Sequence, residues 1–156
     1  MKLVRRSLIA LGALVVFVLL SWAYTNFQLN AARAKGIYDS PEQGMRAILS
    51  KYYSADQDVK ILYAGPNSKN GGSPQVWYVI AEVRATARVD GTALGANGCE
   101  APGSFFLQTK EGWVHVSEGA LPGFISFWMK IFDLAGPGQA TPSTDWGNNP
   151  PEQFCR

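Results

Sequence analysis

The sequence predicts an α+β fold: an N-terminal membrane helix, then one helix against a curled four-stranded antiparallel sheet, with a C-terminal apolar helix and an irregular tail. Three observations predict it. Residues 8–24 are apolar apart from Gly12 and Ser21. Ser40-Pro41-Glu42-Gln43 reads as the capped start of a helix, and residues 58–117 show period-two alternation broken by glycine-containing turns.

The first segment follows Lys2, Arg5 and Arg6, and its length sits at the low edge of the roughly 17–25 residues that cross a bilayer. Cations before the span and none directly after it predict an N-terminus inside the cell and the remainder outside. Trp22, Tyr24 and Phe27 form the aromatic belt of a retained anchor. Ser21 and Ala23 are also small residues at the −3 and −1 positions of a signal-peptidase site, so secretion after cleavage is the alternative. No cysteine follows the run, which excludes a lipoprotein anchor.

Residues 27–38 read as a polar stalk that Gly36 ends. Ser40 supplies an N-cap hydroxyl, Pro41 suits the first helical position and Gln43 completes a capping box. Met45, Ile48, Leu49 and Tyr52 then recur at i, i+3, i+4 and i+7, while Arg46 and Lys51 stay wet. Val59, Ile61 and Tyr63 mark a short strand that stops at Gly65-Pro66, and Asn70-Gly71 suits a tight hairpin turn.

Residues 76–89 give the longest strand, with Trp77, Val79, Ala81, Val83, Ala85, Ala87 and Val89 on one face. The opposite face turns polar halfway along, at Glu82, Arg84 and Arg88. A glycine-rich connection bearing Cys99 follows, then two strands over 104–109 and 113–117 joined as a hairpin by Lys110-Glu111-Gly112. Pro122 opens an apolar helix to about Leu134, and the rest is a tail rich in Gly, Pro, Asn and Ser. The domain division is thus 1–26 anchor or signal peptide, 27–38 stalk, 39–134 extracytoplasmic domain and 135–156 irregular tail.

This order of one capped helix and four alternating strands, over residues 40–117, resembles the cystatin-like and NTF2-like α+β folds. The resemblance is architectural and implies a concave sheet face, with no chemistry attached.

Composition bounds the function. The chain carries 14 Lys and Arg against 12 Asp and Glu. Three of the cations precede the span, so the exported part has no basic tract for nucleic acid. Cys99 and Cys155 both lie in that part, where an oxidising compartment lets them pair. His115 is the only histidine, and two distant cysteines cannot complete a zinc site, so the reading assigns no metal, no cofactor and no catalytic residue.

Two surfaces remain as candidates. Trp77, Trp113 and His115 would line a small-ligand pocket on the concave sheet face. In residues 122–134 only Ser126, Lys130 and Asp133 are polar, leaving an apolar arc of roughly 220° where a surface helix needs ~100°. Opposite that polar stripe run Phe124, Trp128 and Ile131, expected to face the sheet, with Ile125, Met129 and Phe132 on an outward flank for membrane or partner contact. The expected function is a non-enzymatic, membrane-tethered extracytoplasmic accessory or binding domain. Its partners are the membrane, through the N-terminal segment, and another envelope or membrane protein. A small-ligand receptor is the alternative, and an envelope hydrolase a weaker one.

Overall fold

A computed structural model describes residues 2–66, 73–139, 141–142 and 155. The fold is α+β. Helix α1 (Lys2–Arg33) leads to α2 (Pro41–Tyr52), then strands β1 (Asp58–Pro66), β2 (Val76–Arg84), β3 (Cys99–Glu100), β4 (Gly103–Thr109) and β5 (Gly112–Val116), and last α3 (Pro122–Ile131). The antiparallel sheet has the order β1-β2-β4-β5, with the two-residue β3 sharing β2's edge beyond the start of β4. The Asn70-Gly71 turn expected between β1 and β2 lies outside the described residues.

Helix α2 starts where its capping residues require. Ser40 Oγ accepts the Gln43 backbone N–H, and the Gln43 side chain reaches back to accept the Asp39 N–H at 2.8 Å. Gly44 lets this helix sit tightly on the sheet, since a Cβ there would stand 2.5 Å from the Phe106 ring. Met45 and Leu49 enter the core with Trp77, Val79, Ala81, Val83, Phe106 and Trp113, and Tyr53 rather than Tyr52 closes that row.

The other sheet face is covered as well. Val76, Phe105, Leu107, Val114 and Val116 pack against Leu29 and Ala32 of α1 and Ile125 and Met129 of α3. Covering on both faces explains why the first half of β2 is apolar on both sides. Beyond Arg84 the chain leaves the sheet: Ala85 N–H bonds to Gly98, Ala87 accepts from Ser54, and Arg88 closes a turn onto Thr92. The alternation in residues 85–89 therefore serves a turn against the exit of α2, not a longer strand.

Helix α1 is continuous from the apolar stretch into the domain. Residues 27–33, read from the sequence as a stalk, are its last turns, and Arg33 reaches Glu111 at 3.0 Å. Ser21 and Thr25 are small side chains spaced i, i+4, both buried, where α1 lies beside α3. Gly36 follows at φ 144°, a conformation that disfavours any side chain, and Tyr38 then bridges to Trp113.

Helix α3 sits rotated from the expected orientation. Ile125 and Met129, expected on the outward flank, are 0% exposed and face the sheet, whereas Ile131, expected inside, is 54% exposed. The cause is Ser126. Its hydroxyl is not turned to water but lies 2.9 Å from Ser73 Oγ, so the polar stripe does not mark the solvent side. Trp128 is buried as expected, though among aromatics, with Phe132 stacked on it at 5.3 Å. The helix stops three residues early because Asp133 adopts a left-handed conformation and Leu134 N–H bonds back to Met129, returning Leu134 to the core.

Met129→Ala should cost about 2–5 kcal/mol of stability, as for a filled core site, while Phe127→Ala should stay within about 0.5 kcal/mol. Thermal unfolding of the full chain in detergent reads both. The sulfurs of Cys99 and Cys155 lie at bonding distance, 2.07 Å, across a sequence separation of 56. Reduction should lower stability by up to about 4 kcal/mol through the freed loop, seen as a shifted denaturant midpoint with reductant present.

Candidate functional site

An open cavity of about 620 Å³ lies where α2 ends. Met45, Ile48 and Leu49 of α2 with Tyr52 and Tyr53 form one wall, Arg88, Val89 and Asp90 of the turn form another, and Pro102 and Ser104 form the entry to β4. Lys51 stands at the rim. The walls are mainly apolar, and Tyr52 and Val89 expose much of their surface to the opening.

Beside this cleft three polar side chains meet. Tyr53 Oη donates to Glu100 Oε2 at 2.7 Å, and Arg88 Nη2 donates to both Glu100 oxygens at 2.8 and 2.9 Å. Burial pushes the Tyr53 phenol up to about 12, and the Glu100 carboxylate it bonds to reinforces the shift. For Glu100 burial acts upward, but the hydrogen bonds from Tyr53 and Arg88 outweigh it and hold the carboxyl below its ordinary value. The carboxylate thus stays ionised and the phenol stays protonated across the physiological range. Proton transfer favours a group poised near the working pH, so this cluster is suited to fixing the end of α2, the turn and β3 in place.

The cleft and the apolar stretch of α1 lie toward one end of the sheet. Phe105 at the start of β4 pairs with Val116 at the end of β5, and from there the chain reaches Ala120, whose carbonyl accepts Tyr24 Oη at 3.1 Å. The opening is on the α2 face and the helix contact on the other.

The residues anticipated as ligand contacts are together, but as packing. Trp77 and Trp113 are 1% and 4% exposed, with ring centroids 5.2 Å apart under α2. The Trp77 indole donates to the Gln139 carbonyl at 2.9 Å. His115 is half-buried against the Phe106 ring, and burial, assisted by the Lys35 charge, lowers its pKa. Of the strand's charged stripe, Glu82 and Arg84 pair with each other at 2.8 Å, while Arg88 has turned away to Glu100. Among the described residues no group of three or more His, Cys, Asp or Glu side chains comes together as a metal site would need.

Sequence reasoning placed Arg88 in the charged stripe of the long strand and gave Glu100 no role. Their meeting with Tyr53 depends on the turn between Arg84 and Cys99, and no spacing signals it. Compared with known proteins, the chain matches no family model, no curated protein and no solved structure.

Because the folded state holds the Tyr53 proton more tightly than the unfolded chain, whose phenol titrates near 10.0, its contribution is intact below pH 10. It is lost as the pH rises towards 12. Phenolate absorbance should show one tyrosine titrating late, and Glu100→Gln should bring that titration to lower pH.

Proposed function

We propose that the chain is a non-enzymatic, membrane-tethered binding domain, with its N-terminus cytoplasmic and its folded part on the extracytoplasmic side. The observation that supports this best is the continuity of α1. Residues 6–33 form a helix long and apolar enough to cross a membrane, exposed through its apolar stretch and buried only where Ser21, Thr25, Leu29 and Ala32 meet the domain. Lys2, Arg5 and Arg6 at its start favour the inside orientation, and the pairing of Cys99 with Cys155 suits an oxidising exterior.

The same packing supports retention of the anchor. Cleavage after Ala23 would remove Ser21 and Phe17, and with them the cover over Trp128, whose ring lies 5.9 Å from Phe17. The cell membrane is therefore the first partner, and the contact with a second envelope or membrane protein is assigned to the exposed part of the domain.

The cleft at the end of α2 favours a second reading, in which the occupant is a small amphipathic molecule. Apolar walls of Met45, Ile48 and Leu49 with Lys51 at the rim suit an apolar body with a polar or anionic end. This ligand role moves from Trp77, Trp113 and His115 to the cleft.

Protease added to intact cells should remove the folded part, and the mature chain should retain residues 1–23 by mass. Protection until lysis would overturn the orientation. A photo-crosslinker at the cleft residue Tyr52 should give a discrete adduct in cells, protein-sized for an envelope partner and small for an amphipathic ligand. The same group at exposed Lys60 on β1 should give none, and equal labelling at both sites would reject the cleft.

A further inference from the structure

We infer that α3 is seated in the same bilayer that α1 crosses, in the leaflet next to the folded domain, with Phe127 and Ile131 in contact with acyl chains. The inference rests on the reading of α1 as a membrane anchor. It starts from a mismatch between what α3 shows and what water tolerates. With Ile125 and Met129 committed to the sheet, the outward side of the helix carries Phe127 at 58% and Ile131 at 54% exposure, and Leu121 just before it is equally open. Large contiguous apolar surface on a domain marks a contact with something apolar.

The occupant follows from what α3 touches. The Trp128 ring lies 5.9 Å from that of Phe17, and Phe124 lies 5.9 Å from Tyr24. Phe17 belongs to the apolar run of α1, seven residues before Tyr24, and at 1.5 Å per residue it is about 10 Å deeper along the helix. Trp22 and Tyr24 have the amphipathic character that places a helix residue at the headgroup level. A tryptophan packed on Phe17 is then below that level, and Phe127 and Ile131, one position before it and three after, flank it. Phe127 packs edge-on against Trp128 at 5.5 Å, as Phe17 does from the other helix, and Phe17 is itself exposed.

Charge marks the limit of immersion. Lys130 is exposed and its long stem can carry the ammonium outward. Asp133 remains open to water and pairs at 2.5 Å with Lys110, next to the Glu111 that holds Arg33, so the C-terminal end of α3 rises out of the leaflet. The domain thus stands on two apolar supports, one crossing the membrane and one entering a single leaflet.

The test uses the full chain, oxidised, in vesicles of phosphatidylcholine and phosphatidylglycerol, with a spin label on one introduced cysteine at a time. Leu14→Cys reports the anchor, Phe127→Cys and Ile131→Cys report α3, and Ser50→Cys on α2 reports the aqueous side; all four positions are exposed, so the labels leave the core intact. Collisions with oxygen, which partitions into lipid, are compared with those of a water-soluble nickel chelate. The expected result is a ratio shifted towards oxygen at 127 and 131, as at 14, and towards nickel at 50. Oxygen preference at 14 with nickel preference at 127 and 131 would overturn the inference and leave the anchor standing. Protection of 127 and 131 from both reagents would overturn it in favour of a protein contact. Nickel preference at 14 would remove the anchor and this inference together.

Discussion

The packing of Leu29 and Ala32 of α1 onto Leu107, Val114 and Val116 is the contact on which the rest of the structure depends. It makes one helix serve two environments, apolar and exposed at its start, buried against a sheet at its end. A fully buried leucine contributes about 1.5–3 kcal/mol, so the docked turns are part of the fold and not an appendage to it. Over the first half of β2 and over β4 and β5, the sheet is covered on both faces. Its α2 side takes Met45 and Leu49, its other side takes α1 and α3, and strands covered on both sides need apolar residues at consecutive positions, as β2 has from Val76 to Ala81.

The polar counterpart is the cluster of Tyr53, Glu100 and Arg88. It joins three pieces of chain that share little apolar contact, the exit of α2, the turn after β2, and β3 beside Cys99. Hydrogen bonds to a charged group are stronger than neutral ones, and these three hold a turn that otherwise exposes Val89 and Asp90. With these charges satisfied among themselves, the neighbouring cleft offers shape and apolar surface with Lys51 at its rim.

What was legible in the sequence was local. The Ser40 cap, the Lys110-Glu111-Gly112 hairpin and the face of α2 through Met45 and Leu49 depend on neighbours within a turn, and each formed where its residues signalled. The orientation of α3 was not legible, because a hydroxyl reads as polar until a partner such as Ser73 is known to be within reach. The docking of α1 was hidden for a related reason: leucine and alanine have the same pattern whether they face lipid or a sheet. Trp77, Trp113 and His115 were correctly placed on one face, but nothing in their spacing distinguishes a pocket from a core that α2 fills.

If α1 crosses a membrane as proposed, its rigid join to the domain also restricts what the domain can do. A binding module on a flexible stalk samples many heights and orientations above the membrane, and its effective concentration for any one target falls as the stalk lengthens. Here Gly36 comes only after the helix has crossed the sheet, so the nearest flexible position lies beyond the docking contact, not before it. The cleft at the end of α2 is therefore held at one height and one rotation relative to α1. Under the proposed function, a partner pays little entropy to order this side of the contact, but it must present itself close to the bilayer and in one orientation. Such a constraint favours an occupant that is itself fixed in or on the same membrane over one diffusing freely outside it.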